Sequence, residues 1–441
     1  MPILPHMASC LNPGQDRSHT GRELQQIPKA GADSAVEGID TLVVGGGQAG
    51  LAMSAHLSQR GVRHLVLERH RIAEKWRTGR WDSLVANGPA WHDRFPDLSF
   101  HDIDPNSFAT KDRIVAYFEA YADQIKAPIR CGVAVTSAEP YADGTGFHVE
   151  TTHGVIAATN LVAATGPFQR PLVPAIVPPE TGIIQVHSAD YRNPGQLPAG
   201  AVLVVGAGSS GAQIADELLR AGKRTYLSVG PHDRPPLRYR GRDFCWWLGV
   251  LGLWDARTRE PGMEHVTIAV SGAHGGHTVD FRRFAARGMT LLGRAGPVRN
   301  GVLQIAADLA RNIGGGDANY LSLLNAADAY VVKQGLVLPE EPDARKIDAD
   351  PACVTDPILA LNLAEAGITA IVWATGYALD FGWLKADTFD AKGTALHERG
   401  VSRVPGLYFL GLPWLSRRAS PFIFGVWHDA EYLAAHIAAQ R

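Results

Sequence analysis

Two glycine-rich segments of this chain have the residue spacing that binds a diphosphate. Residues 45–50 read GGGQAG and residues 206–211 read GAGSSG, and each follows a short apolar run that ends in two valines. The first glycine allows a tight turn, the second lets the backbone approach a pyrophosphate, and the third lets helix and strand pack closely. Free N–H groups at the helix start then stabilise the negative charge. The pair predicts a protein that holds two dinucleotides and passes electrons between them.

The dinucleotide ligands are expected within these two segments. Plain strand-turn-helix units without a ligand are the alternative, but the presence of two complete patterns favours binding. The predicted ligands are Gly45, Gly47, Gln48, Ala49 and Gly50 in the first segment, and Gly206, Gly208, Ser209, Ser210 and Gly211 in the second.

The residue at the end of the strand that follows each glycine segment indicates which dinucleotide binds there. Glu68 has the spacing to accept hydrogen bonds from ribose hydroxyls and to repel a 2′-phosphate, which favours FAD or NAD at the first site. Residues 224–230 end without an acid, and four arginines follow by residue 242. Guanidinium groups bind phosphate in a bidentate manner, so the second site is predicted to prefer NADPH, with Ser228 and Arg234 as first candidates. A solvated basic loop is the alternative.

The composition is that of an ordinary globular protein. The 441 residues carry a net charge of −2 and suffice for two or three domains. No basic stripe indicates nucleic-acid binding. The four cysteines form no closely spaced pair, which argues against a disulfide reductase and against a zinc site, and no metal is predicted.

Residues 1–36 read as a flexible tail without a signal peptide, so a cytoplasmic protein is expected. The longest apolar run, residues 244–254, is too short to span a bilayer. The alternatives for this run are a buried helix, a substrate lid, and a surface that contacts a membrane or a partner subunit. A homo-oligomer is one of the expected assemblies. No transmembrane segment is predicted.

The elements that position the two segments follow from the apolar pattern. Residues 111–125 have helical periodicity, and Asp143 with Gly144 predicts a turn between two strands. Residues 301–335 are predicted to form a helix in two pieces, broken at three glycines, residues 314–316. A last helix is predicted over residues 425–440. Two strands that end in Ala-Thr-Gly mark the places where the chain crosses between domains.

Together these elements predict an α/β fold with two Rossmann-like dinucleotide-binding domains, each of three layers of the β-β-α type. The FAD domain is predicted over residues 37–173 and again over 356–441. The NADPH domain, residues 174–355, is inserted between these two parts and contains a helical insertion.

Four stretches resemble the flavin-containing monooxygenases, flavoproteins that include Baeyer–Villiger enzymes, N-hydroxylases and the plant indole-pyruvate oxidases. They are the first glycine segment with Glu68, and residues 84–89 (LVANGP), 187–191 (HSADY) and 374–377 (ATGY). The resemblance covers nearly the whole chain from Ile39, and residues 75–96 and 411–430 resemble a bacterial branch of flavoprotein monooxygenases or oxidoreductases. Only the His-Ser-x-x-Tyr part of the family signature is present, so no subclass is implied.

The resemblance implies roles for single residues. Asn87 is implied to lie beside the flavin and the nicotinamide, where an amide donates and accepts hydrogen bonds without titrating; an Asn-Gly turn without a cofactor is the alternative. His187 is implied to support the domain linker and the nicotinamide ribose, and both residues are catalytic candidates. The other implied cofactor-binding residues are Lys75, Trp76, Arg77, Trp81, Thr165, Gly166, Ala374, Thr375, Gly376 and Gly411.

The implied reaction is an NADPH-dependent monooxygenation. Reduced FAD takes up O2 as a C4a-hydroperoxide, shielded by Asn87 and retained NADP, and one oxygen atom passes to a small organic substrate at sulfur, nitrogen or a carbonyl. The main alternative is a flavin-dependent NAD(P)H oxidoreductase or oxidase that releases peroxide or passes electrons to a partner. A non-catalytic nucleotide-binding module is a second alternative.

Overall fold

The structure is a computed structural model, and it describes residues 36–257 and 268–441. Most of the predicted N-terminal tail therefore lies outside the described residues. Up to residue 171 the described chain forms three helices, α1 (Gln48–Gln59), α2 (Glu74–Thr78) and α3 (Lys111–Gln124). Its strands in the same region are β1 (Glu37–Val44), β2 (His64–Glu68), β3 (Ile129–Cys131), β4 (Val135–Pro140), β5 (Phe147–Thr151), β6 (Gly154–Ala163) and β7 (Arg170–Pro171).

The first sheet is built around β1. This strand pairs in parallel with β2 on one side and with β6 on the other, and β3 adds in parallel to β2. Unbroken apolar runs such as Leu42 to Val44 are typical of parallel strands that are covered on both faces. β4 and β5 form an antiparallel hairpin on β6, and its turn contains Asp143 and Gly144 as predicted.

A second region lies between residues 184 and 378. Its described strands are β8 (Ile184–His187), β9 (Ala201–Val205), β10 (Thr225–Ser228), β11 (Arg238–Tyr239), β12 (Arg242–Asp243), β13 (Thr290–Leu292), β14 (Ala295–Arg299), β15 (Val302–Ile305), β16 (Ala360–Asn362), β17 (Ile368–Trp373) and β18 (Tyr377–Ala378). Its described helices are α4 (Ser209–Arg220), α5 (Phe244–Val250), α6 (Phe281–Ala286), α7 (Leu309–Gln334) and α8 (Ala352–Thr355).

The second region forms the predicted three layers. Its central sheet has the strand order β13-β10-β9-β17-β8, with all neighbours parallel. On one face, Val202 and Val204 pack with Ile214 and Leu218 of α4. On the other face, the antiparallel strands β14, β15 and β16 form a second β layer, whose Leu303 packs with residues of β9. The predicted α/β fold with two Rossmann-like domains is confirmed.

The chain returns to the first sheet at its C-terminal end. There it forms β19 (His397–Glu398), β20 (Val401–Ser402), β21 (Leu407–Phe409) and α9 (Ile423–Ala438). β21 pairs in parallel with β6, and the buried face of α9 joins the core cluster that also contains α1. Helix α9 begins two residues before the predicted start.

The two crossings between the domains lie side by side. β6 of the first sheet is followed by β7, β17 of the second sheet is followed by β18, and β7 and β18 pair in antiparallel fashion. The Ala-Thr-Gly segments lie at these crossings as predicted. The predicted restart of the first domain at residue 356 is corrected, because β17 pairs with β8 and β9 and belongs to the second sheet. The second domain therefore extends through Trp373.

Helix α7 differs from the prediction. It runs without interruption through Gly314, Gly315 and Gly316, although each glycine weakens a helix by about 1 kcal/mol relative to alanine. Packing explains one of the three: a Cβ at Gly316 would lie 2.5 Å from Nε2 of His232. The predicted helix start at residue 301 is also wrong, since residues 302–305 form β15.

The apolar run at residues 244–254 forms α5 and the turn after it. Phe244, Trp247 and Trp254 are buried, so this run contributes to a core. Within the described ranges, no helix combines the length and the hydropathy needed to cross a bilayer.

Candidate functional site

The first glycine segment forms the turn from β1 into α1. Gly45 has φ +119°, and a Cβ there would lie 2.5 Å from the carbonyl oxygen of Ala164. A Cβ at Gly50 would lie 1.9 Å from the carbonyl oxygen of Gly45. Gly47, by contrast, faces open space and precedes a helix whose first turn has no side-chain cap. This open, uncapped helix start fits the diphosphate of a dinucleotide.

Glu68 lies beside the same turn, at the end of β2. Its carboxylate accepts hydrogen bonds from the N–H groups of Gly46, at 2.8 Å, and His70, at 2.9 Å. These two bonds fix the acid next to the place where a diphosphate would bind. Glu68 therefore has the position that a ribose ligand requires.

Two of the predicted ligands in this turn, Gln48 and Ala49, contact the C-terminal segment. The side-chain amide of Gln48 donates to the carbonyl oxygen of Pro421 at 2.6 Å. Gly411 has φ +77°, and a Cβ there would lie 2.9 Å from the Cβ of Ala49. Both contacts bring residues 411–421 against the first turn of α1, so one wall of the first nucleotide site comes from the end of the chain.

The second glycine segment repeats this geometry between β9 and α4. A Cβ at Gly206 would lie 2.4 Å from the carbonyl oxygen of Ala374, and one at Gly211 would lie 1.8 Å from that of Gly206. Gly208 caps α4 without a side-chain hydrogen bond, which leaves the helix N–H groups open to an anion. The hydroxyl of Ser209 donates to the carbonyl oxygen of Ile268 at 2.8 Å, so only its backbone is free for a phosphate.

Neither of the two residues predicted to bind the 2′-phosphate is available for it. Ser228 is buried, and its hydroxyl donates to Gly293 and accepts from the N–H of Ala295. Arg234 is 4% exposed, and its guanidinium pairs with Asp317 and Asp280 at 2.8 and 3.3 Å. Both predictions are corrected, because these side chains hold the domain together.

The buried network around Arg234 gives a stability prediction. Asp317 also pairs with Arg282 at 2.8 Å, and both arginines are almost fully buried. Asp317→Ala is expected to lower the free energy of unfolding by about 3–5 kcal/mol, because it leaves two buried charges with fewer partners. Chemical denaturation measures this, and Asp348→Ala is the control. Asp348 pairs with Arg283 on the surface, where the expected loss is below about 1 kcal/mol. Equal losses for the two variants would contradict the prediction.

Arg294 lies beside the end of β10, a position that its place in the sequence did not suggest. It follows β13, the parallel neighbour of β10, and its side chain would lie 3.7 Å from a Cβ at Gly230. Its Nε donates to Asp308 at 2.6 Å, yet 60% of the side chain is exposed. Burial opposes ionisation of Asp308, but hydrogen bonds from Arg294 hold the pKa of that carboxyl below its usual value. Asp308 thus fixes the guanidinium and leaves its terminal nitrogens accessible.

Asn87 connects the two domains. Its side-chain oxygen accepts a hydrogen bond from the amide of Gln213, at 2.7 Å, and Gln213 lies in α4, directly after the second glycine segment. The same amide of Gln213 also donates to the carbonyl oxygen of Val270 at 2.9 Å. One acceptor site of the Asn87 oxygen is therefore occupied, and the NH2 group remains able to donate. Gln213 follows Ser209 by one helical turn, a spacing that places the two on one face of α4.

His187 has a structural role in this geometry. Its Nδ1 accepts from the N–H of Ala189 at 3.1 Å, which leaves the proton on Nε2 to donate to the carbonyl oxygen of Gly376 at 3.0 Å. Burial lowers the pKa of His187, so the ring is neutral near pH 7. Both nitrogens are engaged, and the prediction that His187 is catalytic is corrected. The ring ties β8 to the second crossing.

Four predicted flavin contacts lie within residues 75–81, and the structure places them differently. Trp81 is 4% exposed and packs in the core of the second domain with Leu84 and Tyr191, so its predicted flavin contact is corrected. Arg77 is held by Glu119 of α3. Lys75 is exposed and Trp76 is half-buried, and their cofactor roles stay predictions.

The two crossing segments have matching local contacts. The hydroxyl of Thr165 accepts from the amide of Gln169 at 2.9 Å, and that of Thr375 donates to the carbonyl oxygen of Leu172. Gly166 and Gly376 have φ +73° and +84°, values that favour glycine. Among the described residues, no group of three or more His, Cys, Asp or Glu side chains is arranged to hold a metal ion.

Comparisons with known proteins agree with this two-site geometry. The family model for pyridine nucleotide-disulphide oxidoreductases matches residues 42–236. An uncharacterized CzcO-like oxidoreductase from Geobacillus kaustophilus is 33% identical over 399 residues, which cover 90% of this chain and 97% of the relative. A probable indole-3-pyruvate monooxygenase, YUCCA1 from Arabidopsis thaliana, is 34% identical over 193 residues, 43% of this chain and 46% of that protein.

The fold is shared with a solved flavoenzyme. The flavin-containing monooxygenase from Stenotrophomonas maltophilia aligns with a TM-score of 0.63 and 19% identity, over 92% of this chain and 99% of that one. The resemblance, the oxidoreductase class and the use of FAD and NADPH predicted from the sequence are confirmed at the level of the family. Two glycine turns in two joined Rossmann-like domains, together with a relative that is 33% identical over 90% of this chain and 97% of its own length, place the chain in the family of CzcO-like oxidoreductases.

Proposed function

We propose that this protein is an NADPH-dependent FAD monooxygenase that transfers one atom of O2 to a small organic substrate at sulfur, nitrogen or an activated carbonyl. The observation that carries the proposal is the hydrogen bond between Asn87 and Gln213. It places a neutral amide at the junction of the two domains, close to where α4 begins. The relatives named as monooxygenases support the same reaction class.

The residues of the chain divide the work of binding and shielding. The uncapped starts of α1 and α4 hold the two diphosphates, Glu68 binds the FAD ribose, and Arg294 binds the 2′-phosphate of NADPH. When bound, FAD would supply the redox chemistry, since it would accept a hydride from NADPH and activate O2, of which one atom goes to the substrate and the other leaves as water. Asn87 donates its N–H groups toward the flavin site, and Gln213 prevents the amide from turning.

The role of Asn87 leads to a test of coupling. Asn87→Ala is expected to slow substrate oxygenation on the order of 100-fold, the cost of one oriented donor. The NADPH consumed would then appear as hydrogen peroxide, while reduction of the flavin by NADPH stays close to wild type. Asn87→Asp is the matched control, because it keeps the shape of the side chain but removes the donor. Stopped-flow spectra measure the reduction of the flavin by NADPH, and a peroxide assay measures how much of the NADPH consumed appears as hydrogen peroxide.

The overall reaction is tested with a panel of thioethers, amines and ketones. A product heavier by one oxygen atom, formed in step with NADPH oxidation, supports the monooxygenase. An enzyme that oxidises NADPH and returns only peroxide across the whole panel would instead be an oxidase, and the proposal would fail. Wild-type coupling in both Asn87 variants would remove this residue from the mechanism.

A further inference from the structure

A cluster of aromatic side chains lies directly beside the loop that carries Asn87. The ring centroid of His92 lies 3.9 Å from that of Phe424 and 5.4 Å from that of Trp91. It lies 5.5 Å from that of Trp254, and the planes of these two stacked rings differ by 28°. Phe422 contacts Trp254 at 5.4 Å and is 39% exposed. We call these five residues the aromatic cluster. It joins the Asn87 loop, the end of the 244–254 run and the start of α9.

A hydrogen-bonded pair connects the cluster to that loop. Nδ1 of His92 lies 2.8 Å from one carboxylate oxygen of Asp93, and the other oxygen accepts from the N–H of Gly88 at 3.0 Å. Gly88 is the residue after Asn87, so the imidazole and the amide are held by one short segment. A Cβ at Gly88 would lie 2.5 Å from the Asp93 carboxylate, which explains why glycine is needed there.

The polar atoms of the aromatic cluster are satisfied with one exception. The indole N–H of Trp91 donates to Asp243 at 3.2 Å, and that of Trp254 donates to the carbonyl oxygen of Cys245 at 3.0 Å. Nε2 of His92 has no hydrogen-bond partner among the described residues, although the side chain is only 8% exposed. Buried polar groups in native proteins are nearly always paired, so an orphan of this kind needs an explanation.

We propose that Nε2 of His92 is the polar anchor of the substrate site, and that the substrate is an aromatic molecule with a hydrogen-bond donor on its ring. The proposal rests on the monooxygenase function and names its substrate class. With Nδ1–H donating to Asp93, Nε2 is the nitrogen that accepts from a hydroxyl or an N–H of the substrate. Trp254 and Phe424, whose rings contact each other edge to face with centroids 5.2 Å apart, form the apolar surface beside Nε2 against which such a ring would pack.

The geometry accounts for orientation as well as affinity. The anchor and Asn87 are joined through Gly88 and Asp93, so the same hydrogen-bonded segment would position a substrate held at Nε2 relative to the amide. A site built to pair a substrate donor rejects an analogue without it, because the protein group is then left unpaired in the bound state. The aromatic cluster alone would not make this distinction, since apolar walls bind both molecules.

The test uses two sulfides that differ in one hydroxyl, 4-(methylthio)phenol and methyl phenyl sulfide. Binding to the oxidised, flavin-loaded protein is measured from tryptophan fluorescence in the absence of NADPH, so the readout does not depend on turnover. We expect the wild-type protein to bind the phenol about tenfold or more tightly than the sulfide without the hydroxyl. 4-Methoxythioanisole, which can only accept at that position, should bind no better than methyl phenyl sulfide. Equal affinities for all three probes would overturn the proposal without any variant.

Two substitutions separate the two ring nitrogens of His92. His92→Asn keeps a donor at the position of Nδ1, and so the bond to Asp93, but removes Nε2. His92→Gln keeps a polar atom near Nε2 and gives up the bond to Asp93. The preference for the phenol should be lost in His92→Asn and largely kept in His92→Gln. A preference that survives in a folded His92→Asn protein contradicts the anchor.

Oxygenation assays with the same probes distinguish this proposal from the function on which it rests. A binding preference without any sulfoxide product would leave the anchor in place and overturn the monooxygenase. Sulfoxide formed from both probes with equal affinity and equal kcat/KM would support the monooxygenase and overturn the anchor.

Discussion

Replacing Gly47 by aspartate is expected to give a folded protein that no longer binds flavin. Gly47 has φ −92° and open space at its Cβ, so a side chain causes no clash, and aspartate is a favoured residue at the start of a helix. The new carboxylate would occupy the place of the FAD diphosphate. Two like charges about 4 Å apart repel by about 4 kcal/mol near a protein surface, which corresponds to a loss of affinity on the order of 1000-fold. Visible absorbance of the purified protein measures the bound flavin.

Two controls accompany this experiment: the free energy of unfolding of the Gly47→Asp protein, and the same substitution in the second glycine segment. Compared as flavin-free proteins, wild type and Gly47→Asp should differ by less than about 1 kcal/mol in free energy of unfolding. Gly208→Asp makes the same change at the start of α4. It should keep the flavin colour and lose reduction by NADPH. A folded Gly47→Asp protein that retains stoichiometric FAD would show that the first glycine turn does not bind the flavin diphosphate.

Arg294→Ala is expected to abolish the preference for NADPH over NADH. The KM for NADPH should rise about 10- to 100-fold, because charge-assisted hydrogen bonds contribute about 1.5–3 kcal/mol each, while the KM for NADH should change little. The physical reason is that Asp308 holds the Nε of Arg294 and leaves the two terminal nitrogens at the end of β10 free for a phosphate. Rates of flavin reduction at a series of concentrations of each coenzyme measure the two constants.

Arg311→Ala is the matched control for Arg294. Arg311 also approaches Asp308, at 3.8 Å, but its side chain is 76% exposed and lies on α7. It should leave both KM values within about twofold, since exposed ion pairs contribute little. An unchanged ratio of NADPH to NADH efficiency in Arg294→Ala would exclude this arginine as the ligand of the 2′-phosphate.

The sequence predicted the parts of the site that depend on contacts within one turn. Gly45, Gly50, Gly206 and Gly211 are required where a strand meets its own helix, and the distances to the neighbouring carbonyl oxygens show why. Glu68 was predicted correctly to lie at the end of the strand after the first turn, because that spacing is set by one β-α-β unit. The sequence pattern therefore specified both nucleotide turns and the Rossmann-like fold.

The sequence could not predict contacts made by residues that are distant along the chain. Arg234 follows β10 in sequence, yet it turns into a buried network with Asp317, and Arg294 reaches the end of β10 through the neighbouring strand β13. The strand order of the second sheet decides this, and that order is not written in the local pattern. Asn87 and Gln213 illustrate the same limit, since they meet only when the two domains pack. The glycines of α7 were misleading because tertiary packing outweighs local helix propensity.

The pairing of β7 with β18 has a mechanical consequence for catalysis. Two adjacent connections that are hydrogen-bonded to each other resist twisting and stretching more than a single peptide linker does. The paired connections therefore limit how far the two halves can separate or rotate against each other. A coenzyme bound by the inserted half would thereby keep a limited range of orientations relative to a flavin bound by the other half.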